Sequence, residues 1–137
     1  MNLELSAEKI AFTYDEMDTN AINFVLKDGY FSVQTCVYLE EDEELNEPSF
    51  EWNDQGSSQN GGIKDILFFN EKISLAFEES NLFLRKYEVV EIHLSKPVTK
   101  KTVDFFSNYL FLGQHIRYDK DFKKSNIVPQ TEERELL

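Results

Sequence analysis

Cysteine, histidine and, in the first part of the chain, positive charge are all scarce. The single cysteine, Cys36, cannot form an internal disulfide, so packing must hold the fold, and a reducing cytosol is the expected compartment. The two histidines, His93 and His115, lie on separate predicted elements without metal-ligand spacing, which argues against a zinc set. No apolar run approaches the roughly 18 residues of a membrane span. The opening stretch MNLELSAEKI has no basic region followed by an apolar one, so no export leader is expected. Residues 1–58 hold only 2 lysines against 14 carboxylates, whereas the rest of the chain balances 12 against 12. The whole net charge of −12 therefore originates in the first 58 residues. Nucleic acid is excluded as the expected partner, because phosphate contact needs a basic patch. A basic protein partner is electrically plausible, since opposite fields speed and orient encounter, while composition alone favours an acidity that only serves solubility.

The chain has 137 residues, of which 41% are apolar and twelve are Phe. That is one globular domain with enough core to need no staple. Ile10, Phe12 and Tyr14 alternate as in a strand, and Asp15–Asn20 reads as a turn. Asn23–Leu26 is a short strand, with a hairpin signal at Asp28-Gly29. Phe31, Val33, Thr35, Val37 and Leu39 then share one face of the clearest two-residue period in the sequence. Between Glu40 and Glu47, six of eight residues are acidic, and Pro48 closes that connection. Phe50 and Trp52 share a face of the next strand. GSSQNGG (Gly56–Gly62) reads as a loop. Ile63–Phe69 and Ile73–Phe77 read as strands, Ser80–Lys86 as a short helix, and Val90, Ile92 and Leu94 as the inward face of a further strand. The last element is a helix over Lys100–Leu112, with Thr99 as N-cap, Val98 and Val103 as a hydrophobic staple, and Gly113 at its end. Its stripe of Val103, Phe106 and Leu110 faces a core, and its outer edge near Phe111 is a candidate partner surface.

The order of these elements predicts an α+β domain over residues 1–120. Its antiparallel, meander-like sheet is packed on one face by the C-terminal helix, with a second short helix, and residues 121–137 form a mobile tail.

Catalytic and cofactor chemistry finds little footing. Cys36 lies mid-strand with no histidine signature beside it, the pattern of an inert structural thiol. GSSQNGG lacks both the Lys-Ser/Thr of a P-loop and G-x-G-x-x-G spacing. The acidic run lacks the alternating order and central glycine of a calcium loop. The chain is therefore expected to be no enzyme and to carry no metal or cofactor. The candidate surface is the acidic connection, Glu40, Glu41, Asp42, Glu43, Glu44 and Glu47. Tyr38 and Trp52, with Phe50, are possible aromatic anchors, although core packing is favoured for Trp52 and Phe50. A second expectation of another class is a small-ligand domain with an apolar pocket between sheet and helix.

One segment carries a family resemblance. Tyr30–Gly62 and Ile63 give an amphipathic strand, an acidic connection, an aromatic strand and a polar loop closing on Gly61-Gly62-Ile63. Two strands, the stretch Ala76-Phe77-Glu78-Glu79, a further strand and a final helix follow. Over roughly Ala21–Leu112 this order resembles the immunity protein 10 family of bacterial polymorphic-toxin systems. The chain departs from the family pattern in its Glu40–Glu44 run and in Asn46-Glu47-Pro48, which stands where the family has Gly-Met. The resemblance implies a non-enzymatic cytoplasmic protein that binds and neutralises a cognate toxin. The acidic loop would then steer a basic toxin domain.

Overall fold

The structure, a computed structural model, describes residues 1–36 and 47–122. The described residues build one nine-stranded sheet and one helical segment. The strands are β1 (Asn2–Glu16), β2 (Thr19–Leu26), β3 (Gly29–Cys36), β4 (Ser49–Trp52) and β5 (Asp54–Asn60), then β6 (Ile63–Phe68), β7 (Lys72–Phe77), β8 (Val89–Leu94) and β9 (Ile116–Tyr118). Their order across the sheet is β5-β4-β3-β2-β1-β8-β7-β6-β9. The β1·β8 and β6·β9 pairs are parallel and the others antiparallel. The fold is thus mostly sheet, and the sheet is mixed. The expected balanced α+β meander is corrected on both counts, because β1 reaches across to β8 and β9 returns beside β6.

β1 belongs to two arms of the sheet in succession. Its first part, Asn2–Ala7, pairs with β8, and the part from Lys9 onward pairs with β2. The register slips between Ala7 and Lys9. Before the slip Leu3, Leu5 and Ala7 are the buried residues, and after it Phe12 is, with Ile10 and Tyr14 half-buried on its side. The extra residue, Glu8, is exposed and moves the inward face from odd to even numbers. A bulge of this kind lets one strand turn the corner between two arms.

The arms close over a shared core. Phe50 on β4 and Phe77 on β7 have ring centres 5.0 Å apart. In a flat sheet their strands would stand about 24 Å apart, five steps of ~4.8 Å. Phe31 on β3 likewise meets Phe83, which stacks on Phe77. The helical segment fills the mouth that remains. It begins as α1 (Lys100–Phe105), where the Thr99 hydroxyl accepts the Thr102 N–H, and widens to a π-turn over Phe106–Leu110. Phe106 touches Phe24 of β2 and Phe68 of β6, one from each arm. Phe105 meets Phe12, and Phe111 meets both Phe50 and Phe106.

Other expectations shift at particular residues. Most of GSSQNGG lies in a strand, since β5 runs to Asn60 and pairs with β4. Its serines and amides hid a sheet edge, where polar side chains face water at little cost. Ser80–Lys86 is no helix: a single 3₁₀ turn, Glu79–Asn81, leads to a tight loop closed by a Phe83–Tyr87 bridge, with Leu84 and Arg85 in left-handed backbone. The second hairpin turns at Lys27-Asp28, with Gly29 already paired to Leu26. Gly29 serves by its bareness there. The Asn53 amide occupies the space of a side chain at Gly29 and accepts the Tyr30 N–H. The expected tail boundary at residue 120 falls within continued packing, because Phe122 stacks against Phe68 and Tyr118. Residues 123–137 lie outside the described residues, as do Val37 and Leu39.

Two outcomes test this account. Deleting Glu8 turns Leu3, Leu5 and Ala7 outward and abolishes cooperative urea unfolding, whereas Glu8→Ser shifts stability by no more than about 0.5 kcal/mol. The second concerns Tyr30, whose hydroxyl donates to the Glu51 carboxylate. That bond, aided by burial and the Glu51 charge, pushes the phenol up from 10.0 to about 12. A pKa raised on folding adds stability that is complete below pH 10.0 and is lost as pH rises to about 12. Tyrosinate absorbance should show a late-titrating ring that Tyr30→Phe removes.

Candidate functional site

The sheet register gathers carboxylates that are scattered in sequence. β1 and β2 meet at a two-residue turn, Met17-Asp18, both in left-handed backbone as such hairpins require. Asp15, Glu16 and Asp18 are exposed there, and Met17 is 92% exposed. Thr19, at the start of β2, pairs with Cys36, the last described residue before the acidic connection. The connection re-enters the described structure at Glu47 and Pro48, before Ser49 pairs with Gln34. The acidic hairpin tip and both anchor points of the connection therefore lie at one end of this arm. Glu40, Glu41, Asp42, Glu43, Glu44 and Tyr38 fall outside the described residues. Asp15, Glu16 and Asp18 were not singled out from sequence. Their relation to the connection is a matter of register, which only the Thr19–Cys36 pairing reveals.

At the same end, where β5 passes to β6, a cleft of about 470 Å³ opens between the arms. Glu47, Pro48, Gly61, Gly62 and Ile63 line one part, Glu78, Ser80 and Asn81 another, and Leu110–Leu112, Gln114 and His115 a third. Its backbone is unusual. Gly61 and Gly62 have φ of 66° and 90°, and Leu112 and His115 are left-handed too. Strained backbone and π-turns both concentrate at functional sites. The π-turn has a direct effect here: the Phe111 N–H reaches the Phe106 carbonyl, and the Gly113 N–H reaches Ser107. That wide closure leaves Phe111 buried and Leu112 72% exposed at the rim. Phe111, expected at the edge of a partner surface, is instead packed on Phe50 and Phe106, and Leu112 is the exposed residue beside it.

Two glycines are needed for different reasons. The Glu47 carboxylate lies where a Gly61 side chain would be, so the acidic connection ends by lying on that glycine. At Gly62 the obstacle is the Asn81 backbone carbonyl, 2.8 Å from a Cβ position. Gln59 ties the junction: its amide donates to the Gly61 and Asn81 carbonyls and accepts the Leu84 N–H.

The other aromatic candidate goes elsewhere. Trp52 stands at the far end of β4, half-buried on the core side, edge-on to Tyr87. Phe50 is fully buried. Neither His93 nor Cys36 lines this cleft; His93 pairs with Glu4 on the outer face. Among the described residues no three metal-ligating side chains are gathered, and no helix is long and apolar enough to cross a membrane.

No family model, curated protein or solved structure matches the chain.

Alanine at Gly61 should cost about 1–2 kcal/mol for its left-handed backbone, because the exposed Glu47 side chain can swing away. Alanine at Gly62 should cost more, since a backbone carbonyl cannot. Urea midpoints of the two variants, and of Gly61→Ala combined with Glu47→Ala, check the ranking.

Proposed function

We propose that this chain is a toxin-neutralising binding protein that holds a basic bacterial toxin domain against its acidic end. The observation that carries the reading is the register that sets exposed Asp15, Glu16 and Asp18 beside both anchors of the acidic connection. A field of one sign at one end of a rigid sheet steers and orients an oppositely charged partner. The resemblance to immunity protein 10 supplies the nature of that partner, a cognate toxin, and a role without catalysis in the cytoplasm. Such an inhibitor acts by covering a surface, which fits a site of carboxylates and apolar groups.

A second reading, a small-ligand domain, draws on one feature. A cleft of about 370 Å³ lies between β1, the end of β8 and the start of α1, with walls of Ile10, Leu94, Pro97 and Val98. Deeper between sheet and helix the space is taken by Phe12, Phe24, Phe68, Phe105 and Phe106, which leaves the ligand only that rim.

Co-expression with the toxin encoded beside this gene tests the first reading. Growth should be rescued, and binding should weaken with salt. Asn at Asp15, Glu16 and Asp18, with Ser or Asn across Glu40–Glu44 and Glu47, should slow association at least tenfold at low salt and flatten its salt dependence. An unchanged association rate would remove the steering role.

A further inference from the structure

The cleft beside Gly61-Gly62 has a narrower chemistry than general acidity. Glu47 and Glu78 reach it from different segments of the chain, and among the described residues no lysine or arginine lines it. Both residues are exposed, and among the described residues neither carboxylate takes part in a hydrogen bond or ion pair. Pro48, Ile63, Phe111 and Leu112 line the same cleft and give it apolar wall. Leu112 is the most open to water of these apolar side chains, at 72% exposure, and its backbone is left-handed.

We propose that this cleft receives an arginine side chain from the basic protein partner. The inference rests on the acidic-end reading above and names the contact that reading lacks. Arginine has an apolar stem of three methylenes ending in a planar, permanently charged fork. The stem suits the Ile63, Phe111 and Leu112 wall, and the fork suits two carboxylates that have no cationic partner among the described residues. Charge-assisted bonds of this kind are about twice as strong as neutral ones and are geometrically selective. A nucleic acid or a small anion would meet two carboxylates here and be repelled. Anchors of this sort, an arginine in a walled pocket, carry much of the energy of protein interfaces.

The test uses the full chain and a defined probe, N-acetyl-arginine methylamide, followed by amide shifts in NMR. The expected result is saturable shifts at Gly61, Gly62, Gln114 and His115. The lysine analogue should bind more weakly, and the neutral citrulline analogue should give no shift. Glu78→Gln and Glu47→Gln should each weaken arginine binding about tenfold, the loss of one charged hydrogen-bond partner. Both positions are exposed, so the variants keep the fold, and an unchanged amide spectrum in the absence of probe verifies it. Equal shifts with citrulline, or arginine binding indifferent to both substitutions, would overturn the proposal. Toxin neutralisation without arginine binding would also overturn it while leaving the acidic-end reading intact. Arginine binding without neutralisation would support the cleft and remove the toxin.

Discussion

Side chains on a strand alternate sides, so a strand that buries residues in both arms of a folded sheet must change phase somewhere. In β1 the change falls at Glu8. Leu3 and Leu5 face the core of one arm, Phe12 that of the other, and a single exposed residue between them makes both possible. Without that slip the arms could not share a strand. The contacts between Phe50 and Phe77 and between Phe31 and Phe83 would then have no corner to bring them together.

The helical segment depends on the same closure. A folded sheet leaves an open mouth, and large rings fill it where aliphatic side chains would leave gaps. Phe106 reaches both arms, while Phe105 meets the rings of Phe12 and Tyr14 on β1 and Phe111 meets Phe50 on β4. Over Phe106–Leu110, beneath these rings, the last turn widens to a π-turn. The widening is felt at the surface. It separates buried Phe111 from exposed Leu112, and so shapes one wall of the cleft beside the glycine pair.

Most strands were legible because their inward residues are large and alternate: Phe31 and Val33, Ile73 to Phe77, Val90 and Ile92. The helix was legible through Thr99 and Gly113, whose capping roles depend on local backbone alone. Three features were hidden for physical reasons. The first half of β1 was masked by the phase change at Glu8, which breaks any simple period. β5 was masked by polar residues that an edge strand tolerates. β9, three residues long, is held by its parallel pairing to β6, a long-range contact with no local signature. The candidate site was legible only in part. Glu47 was named from sequence, whereas Glu78, Leu112 and the hairpin carboxylates are brought near it by register and by the glycine junction.

The parallel pairing of β1 with β8 also fixes an order of events during synthesis. The second half of β1 finds β2 across a two-residue turn, a contact available almost at once. The first half must wait for β8, and the terminal amine of Met1 meets Glu88 across 87 residues of chain. Closing so long a loop is slow, because its entropy is lost before the contact rewards it. On the ribosome the hairpin arm is therefore able to form early, while Asn2–Ala7 remains an unpaired strand until Val89–Leu94 has emerged. The core that buries Leu3 and Leu5 closes only then, and the growing chain carries an open sheet edge until it does.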